Sequence, residues 1–326
     1  MTPDDFLRRL AAVRTHKRRD ERAPHKPLLL LLALGRVARR QERLVPYEEV
    51  EPLLRELMQS FGSPKSAVRP QYPFRWLRTD QLWDVPRFRE LSRNASGDFY
   101  VWQLRELGIE GGLPEDAYDV LRADTGLLWQ AVGEILREHF PESLHREIRD
   151  AAGIPEDGIA WEADVEEALP TPAVRERESG PPTFYSFLTR RRRRDPLFRK
   201  RVLDAYEERC SVCDLDIRLG ERLLGVEAAH IQWHSHGGPD QVANGLALCL
   251  LHHKALDRGA LGLEERKGTG FNVLISRDVR GERTGSLVDF SGRRIRPPRT
   301  RAMALGEKFV GWHRREVFRG QPSTPT

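Results

Sequence analysis

The sequence predicts an α+β protein of two units joined by a linker. The N-terminal unit is mainly helical with short strands, and the C-terminal unit carries a cluster of cysteines and histidines suited to a metal. Three observations carry this reading. Apolar residues recur at helical spacing through much of the first 150 residues. An acidic, Pro- and Gly-containing stretch follows, with 11 acidic against 4 basic residues over 142–183. All 3 cysteines and five of the 10 histidines then fall between Cys210 and His253. The boundaries drawn from these shifts are 1–150, 151–183 and 184–326, within the two or three domains that 326 residues allow.

Taken in chain order, Phe6, Leu10 and Val13 mark a first amphipathic helix. Pro27 and the leucines behind it read as a buried helix with proline in its first turn. Further helices are expected over Glu48–Phe61 and Leu127–His139, with short-strand character at Leu82–Asp84 and Phe99–Trp102. Beyond the linker, Asp195 suits an N-cap and Pro196 the first helical position of a segment carrying Phe198, Val202 and Tyr206. There is no internal repeat.

The net charge of +5 conceals an uneven distribution. From Phe184 onward, 27 Lys and Arg stand against 17 Asp and Glu; in the first 80 residues the counts are 17 and 10. Arg190–Arg194 is unbroken, Arg199, Lys200 and Arg201 follow, and Arg293, Arg294, Arg296, Arg299 and Arg301 cluster later. Such runs read as phosphate contacts and a steering field for nucleic acid. Leu28–Leu34 stops at Gly35-Arg36, too short to cross a bilayer, so no membrane association is expected. The start of the chain has no apolar signal core, and a metal claims every thiol, so a cytoplasmic location is expected.

Cys210-Ser-Val-Cys213 and Cys249-Leu-Leu-His252 are two pairs with two-residue spacers, separated by a hairpin's length. Three thiolates and one imidazole suit tetrahedral Zn2+ in a structural role. His253 should not share that ion, because neighbouring helical side chains diverge by about 100°. His230, Asn244 and His253 remain over. Together these residues resemble the HNH endonuclease module, the ββα-metal fold. That resemblance implies a general base at His230, a loop-positioning residue at Asn244 and a ligand of the catalytic ion at His253. It departs at Ala229, where the family often has an acidic ligand. Asp257, one turn after His253 on the same helix face, is the expected replacement, with Glu227 a second candidate. Imidazole and carboxylate donors suit Mg2+ or Mn2+.

Nuclease modules of this kind call for a separate reader. Pro24-His25-Lys26-Pro27 before the leucine run, Tyr72-Pro73-Phe74-Arg75-Trp76-Leu77, and Ser92-Arg93-Asn94-Ala95 together resemble the sulfur-binding domain of type IV modification-dependent restriction endonucleases. Members of that family recognise phosphorothioate DNA and pair the reader with a C-terminal HNH module. The sulfur of a phosphorothioate is larger than oxygen and a poorer hydrogen-bond acceptor, so a shallow apolar cup prefers it. The resemblance implies that Tyr72 and Pro73 offer that cup; Trp76 stands where the family often has a small residue. His25, Lys26, Arg75, Arg93 and Asn94 are candidates for holding phosphates and reading bases. The expected function is hydrolysis of double-stranded, phosphorothioate-modified DNA near the modification, with a homodimer expected for cutting both strands. Alternatives are an HNH enzyme that reads unmodified or methylated DNA, the latter through an aromatic cage drawn from Trp76, Trp83 and Trp102, and a non-catalytic zinc-containing DNA-binding protein.

Overall fold

The structure, a computed structural model, describes residues 1–13, 23–155, 195, 197–266, 270–281, 285–300 and 303–323. Residues 14–22, with Arg14, Lys17, Arg18 and Arg19, the greater part of the acidic segment, Arg190–Arg194, Pro196 and Arg301 lie outside the described residues.

The first unit runs α1 (Pro3–Ala11), α2 (His25–Ala38), β1 (Leu44–Pro46), α3 (Tyr47–Phe61), α4 (Gln71–Trp76), α5 (Val101–Glu106), β2 (Glu110–Gly112), α6 (Glu115–Ala123), α7 (Thr125–His139) and α8 (His145–Ala151). Its leucine run makes α2 apolar on every side, and a helix of that kind must be wrapped. Residues Lys26 to Gly35 are all buried, with α3, α4, α6 and α7 packed against the helix. Local signals set the ends of others. Thr2 accepts the Asp5 amide at the start of α1, and Asp124 accepts the Leu127 amide at the start of α7.

Two strand expectations need correction. Of Leu82–Asp84, only Asp84 bridges to Gly112, and of Phe99–Trp102, only Phe99 bridges to Arg93. Trp102 belongs to α5, whose buried anchor is Leu104. Exposed Tyr100 and Trp102 either side of a small apolar residue imitated a strand's alternation. The strand pair that does form, antiparallel β1–β2, joins Leu44 to Gly112 and Pro46 to Glu110. It needs glycine at position 112, where a Cβ would come within 1.9 Å of the Arg43 carbonyl oxygen. The first unit also runs past residue 150. Ile154 is buried in its core, and Arg39 donates to the Gly153 carbonyl.

The second unit opens with α9 (Phe198–Ala205), where Asp195 accepts the Leu197 amide at 2.8 Å. There follow the hairpin β3 (Arg218–Leu219) and β4 (Arg222–Leu223), then β5 (Val226–His230), β6 (Gly245–Cys249) and α10 (Leu250–Asp257). A hairpin of β7 (Leu261–Arg266) and β8 (Gly270–Ile275), a short α11 (Gly285–Val288) and α12 (Glu307–Glu316) complete it. In the β5–β6 register Val226 faces Cys249 and His230 faces Gly245. Phe198 and Val202 of α9 pack on this ribbon, and Leu256 anchors α10 in the same core.

The two units share buried surface. Trp233 and Trp312 meet edge to face at 5.9 Å and belong to the first unit's apolar core. Arg319 donates to the carbonyls of Gln59 and Ser60 at 2.6 and 2.7 Å, binding the last turn of α3 where the helix leaves acceptors unsatisfied and the dipole favours a cation. Among the described residues, no helix is long and apolar enough to cross a membrane.

Candidate active site and DNA-reading surface

The cysteines converge because the turn after α9 meets the end of β6. Cys210 and Cys213 lie on a tight knuckle in which the Asp214 amide donates to the Cys210 carbonyl. The same knuckle is stitched to β6 by the Ser211 amide, which donates to the Ala247 carbonyl at 2.7 Å. Cys249 ends β6, and His252 sits in the first turn of α10. Ligand atoms of these four residues all lie within 4.8 Å of one another. Cys213 and Cys249 sulfurs are 3.9 Å apart, and His252 Nδ1 is 3.1 and 3.5 Å from the sulfurs of Cys249 and Cys210. A tetrahedron with bonds of about 2.3 Å has edges of about 3.8 Å, so this Cys3His group fits zinc in both donor chemistry and size.

His253 faces elsewhere. Its Nδ1 is 2.8 Å from Glu227 Oε2, across on β5, and its Nε2 is 3.2 Å from Asp257 Oδ2, one turn along α10. Burial alone would depress the ring's pKa, but hydrogen bonds to Asp257 and Glu227 outweigh it and push the value up to about 10. The two carboxylates therefore create a place that favours a cation. They are not equivalent. The Glu227 side chain is 46% exposed, on the open edge of the ring, whereas Asp257 is 2% exposed and also accepts from Ser143. Because the two ring nitrogens point apart, Glu227 and Asp257 cannot both join His253 on one ion without rearrangement. Helical spacing correctly put Asp257 beside His253, but burial puts it on the enclosed side.

His230, at the end of β5, lies flat against Phe198 with ring centroids 4.0 Å apart. Its Nε2 is 2.8 Å from Asp240 Oδ1, and the other Asp240 oxygen accepts the Asp195 amide at 2.7 Å. Burial would raise the Asp240 carboxyl, but the hydrogen bonds from the Asp195 amide and His230 hold it below its ordinary value. Asp240 was missed in the sequence, where it reads as one more loop residue after Gly237-Gly-Pro. Its signal was its place, an acidic residue between the histidine and Asn244. Asn244 is fully buried and holds the loop from both ends: its Oδ1 accepts the Gln232 amide, and its Nδ2 donates to the Gln232 and Pro239 carbonyls.

In the first unit, α4 brings Tyr72, Pro73, Arg75 and Trp76 to one corner. The Tyr72 ring lies 6.1 Å from His25, at the start of α2, and 6.3 Å from Trp76. Pro73 is buried beneath them. Trp76 donates its indole N–H to Asp98 at 2.9 Å, and the Arg75 guanidinium covers its face at 4.2 Å. The Arg93–Phe99 turn closes on these side chains. Gly97 takes a left-handed φ of +79° there, and a Cβ on it would lie 3.0 Å from an Arg75 nitrogen. Arg93 is exposed on this turn, while the Asn94 oxygen accepts the Asp98 amide. Arg75 Nη1 is buried and has no hydrogen-bond partner among the described residues.

Lys26 is placed differently from an exposed phosphate contact. Its side chain is 8% exposed and its ammonium lies 2.6 Å from Asp80, itself 3% exposed. Removing one member of such a buried pair is costly because the remaining charge stays desolvated without that partner. Lys26→Met is therefore expected to cost about 3–5 kcal/mol in a denaturant titration. A residue serving only as a phosphate contact would instead leave stability unchanged and reduce the salt slope of DNA binding by about one.

Two family models match the chain in tandem. Residues 3–157 match the ScoMcrA-like DNA sulfur-binding domain, and residues 210–264 match the HNH endonuclease domain, together nearly two thirds of the chain. No protein with curated annotation matches. Similar solved structures include the sulfur-binding domain of ScoMcrA complexed with phosphorothioated DNA, 28% identical over 46% of this chain and 98% of that one, at a TM-score of 0.41. Another is the type IV phosphorothioation-dependent restriction endonuclease ScoMcrA, 19% identical over 77% of this chain and 94% of that one, also at 0.41. The modification-dependent TagI restriction endonuclease is 24% identical over 37% of each chain, at 0.29. The chain thus carries a ScoMcrA-like DNA sulfur-binding domain over residues 3–157, followed by an HNH endonuclease domain over residues 210–264.

Proposed function

We propose that the protein hydrolyses double-stranded DNA near phosphorothioate linkages, with His230 as general base and with His253 and Glu227 holding one Mg2+ or Mn2+ ion. The observation that carries the catalytic part is the separation of two carboxylate–imidazole pairs on one β5–β6–α10 frame. Asp240 holds His230 Nε2 as the N–H nitrogen, which makes Nδ1 the nitrogen that takes a proton from water. Phe198 keeps that ring from turning. Asn244 fixes the loop that carries Asp240. Asp257 orients His253 from the enclosed side, in the manner of a carboxylate behind a metal-bound histidine, and Glu227 offers its oxygen on the open side. A divalent ion bound there would supply charge neutralisation at the scissile phosphate and help the leaving oxygen depart.

In the reader, Tyr72 presents the apolar contact for sulfur, with buried Pro73 as the floor of that corner, while Arg75 and exposed Arg93 hold the phosphates around it. His25 and Asn94 border the same corner and are proposed to reach neighbouring backbone and bases. An aromatic cage for a methylated base is less well supported. Trp83 is buried in the core, Arg75 covers one face of Trp76, and Trp102 stands exposed beside Tyr100.

Gel-shift titrations with matched duplexes carrying sulfur, 5-methylcytosine or neither test the reader. The sulfur duplex is expected to bind most tightly, and Tyr72→Ala to lower that preference about tenfold, or about 1.4 kcal/mol. Equal affinity for all three duplexes would end the reading. Cutting both strands calls for two active sites, so two copies are proposed to meet on the duplex in the cytoplasm. Double-strand cleavage that rises linearly with protein concentration would argue against that pairing.

A further inference from the structure

We infer that Ser143, a residue of the sulfur-binding unit, is a positioning residue of the nuclease site, so that the nuclease site is completed across the boundary between the two units. The inference rests on the proposed role of His253. Glu142–Leu144 forms a single 3-10 turn between α7 and α8, and this turn presses on α10. Ser143 Oγ donates to Asp257 Oδ2, the same oxygen that stands 3.2 Å from His253 Nε2. Asp257 is buried, so its carboxylate is steered by protein groups rather than by water. On this oxygen those groups are a serine from one unit and a histidine from the other.

The turn is fastened to the helix in more than one place. Lys254 donates to the Ser143 carbonyl. Glu147, in the first turn of α8, lies 2.7 Å from Lys254 and 3.3 Å from Arg258. Lys254, Asp257 and Arg258 are spaced i, i+3 and i+4 and so share one face of α10. The sulfur-binding unit thus grips the helix face that bears the orienting carboxylate and leaves Glu227, on β5, at the open edge of the His253 ring. A hydroxyl on Asp257 Oδ2 fixes the carboxylate's rotation, and the carboxylate fixes the imidazole. Loss of a carboxylate behind a metal-bound histidine commonly costs about 10- to 100-fold in metal affinity or activity, and a group acting through that carboxylate is expected at the lower end of that range.

The test uses the full chain and the variants Ser143→Ala, Ser143→Thr and His253→Ala. Mn2+ affinity is measured by calorimetry without DNA, and single-turnover cleavage of a sulfur-containing duplex is followed over a range of Mn2+ concentrations. Gel shifts and thermal melts accompany both. Ser143→Ala is expected to weaken Mn2+ binding and slow cleavage at limiting Mn2+ by about tenfold, with sulfur-duplex affinity unchanged. Ser143→Thr, which keeps the hydroxyl, is expected to restore both. Wild-type Mn2+ affinity in Ser143→Ala overturns the inference, and so does faster cleavage, which would make the contact a restraint. A parallel fall in melting temperature and Mn2+ affinity that threonine does not reverse also overturns it, as a packing effect. If His253→Ala cleaves normally, the reading of the site itself has failed. If His253→Ala is inactive while Ser143→Ala behaves as wild type, only the role of Ser143 has failed.

Discussion

His230→Ala is expected to slow DNA cleavage by about 10²- to 10⁴-fold, the range for loss of a positioned general base, with binding to the sulfur-containing duplex retained. The size follows from how completely the ring is prepared. One face lies on Phe198, and Nε2 is held by Asp240, whose second oxygen is tied to the Asp195 amide. No side chain at position 230 other than histidine offers a basic nitrogen in that frame near neutral pH. Asp240→Asn should fall in the same direction by a smaller factor. An amide can present an N–H to Nε2, which would favour the wrong tautomer. Single-turnover rates and gel shifts on the same preparations separate the two effects. Cleavage by His230→Ala at the wild-type rate would remove the catalytic reading and leave a zinc-containing DNA-binding protein.

Removing zinc is expected to have the largest effect on stability. Structural zinc contributes about 10–16 kcal/mol of apparent binding energy in small zinc modules, as much as the whole stability of an ordinary domain. Here the four ligands tie the knuckle to the end of β6 and the first turn of α10. The residue after the last ligand is His253, so the same staple that holds the fold also sets the helix that carries it. Cys249→Ala, or exhaustive chelation, should therefore unfold the second unit and abolish cleavage. In the intact protein, metal analysis should find about one zinc per chain. A protein that melts at the same temperature with and without its zinc would contradict this. The first unit should survive in part, because its core is built around α2, but Trp233 and Trp312 would withdraw from it.

Much of the site was legible because its chemistry is local. Two-residue spacers bring Cys210 to Cys213 and Cys249 to His252 in any fold that turns there, and adjacency on a helix forces His252 and His253 to look at different neighbours. The leucine run made α2 a buried helix whatever surrounds it, and Tyr72 with Trp76, four residues apart, were bound to share a side of α4. Strand-like segments misled where alternation was only two residues long, as at Tyr100 and Trp102. The pair β1–β2 escaped notice because its partners lie more than sixty residues apart and one strand contains two glycines.

What the chain determined alone was therefore its inventory: two units, a zinc set, a histidine–asparagine–histidine series and an aromatic corner with arginines. Tertiary structure decided which candidates face which way. It buried Lys26 against Asp80, recruited Asp240 to His230, and set Asp257 on the closed side of His253 with Glu227 on the open one. It also laid Ser143 against Asp257, 114 positions away in the chain. The physical reason is that spacing fixes directions within an element, whereas burial and hydrogen-bond partners come from elements that meet only when the core closes.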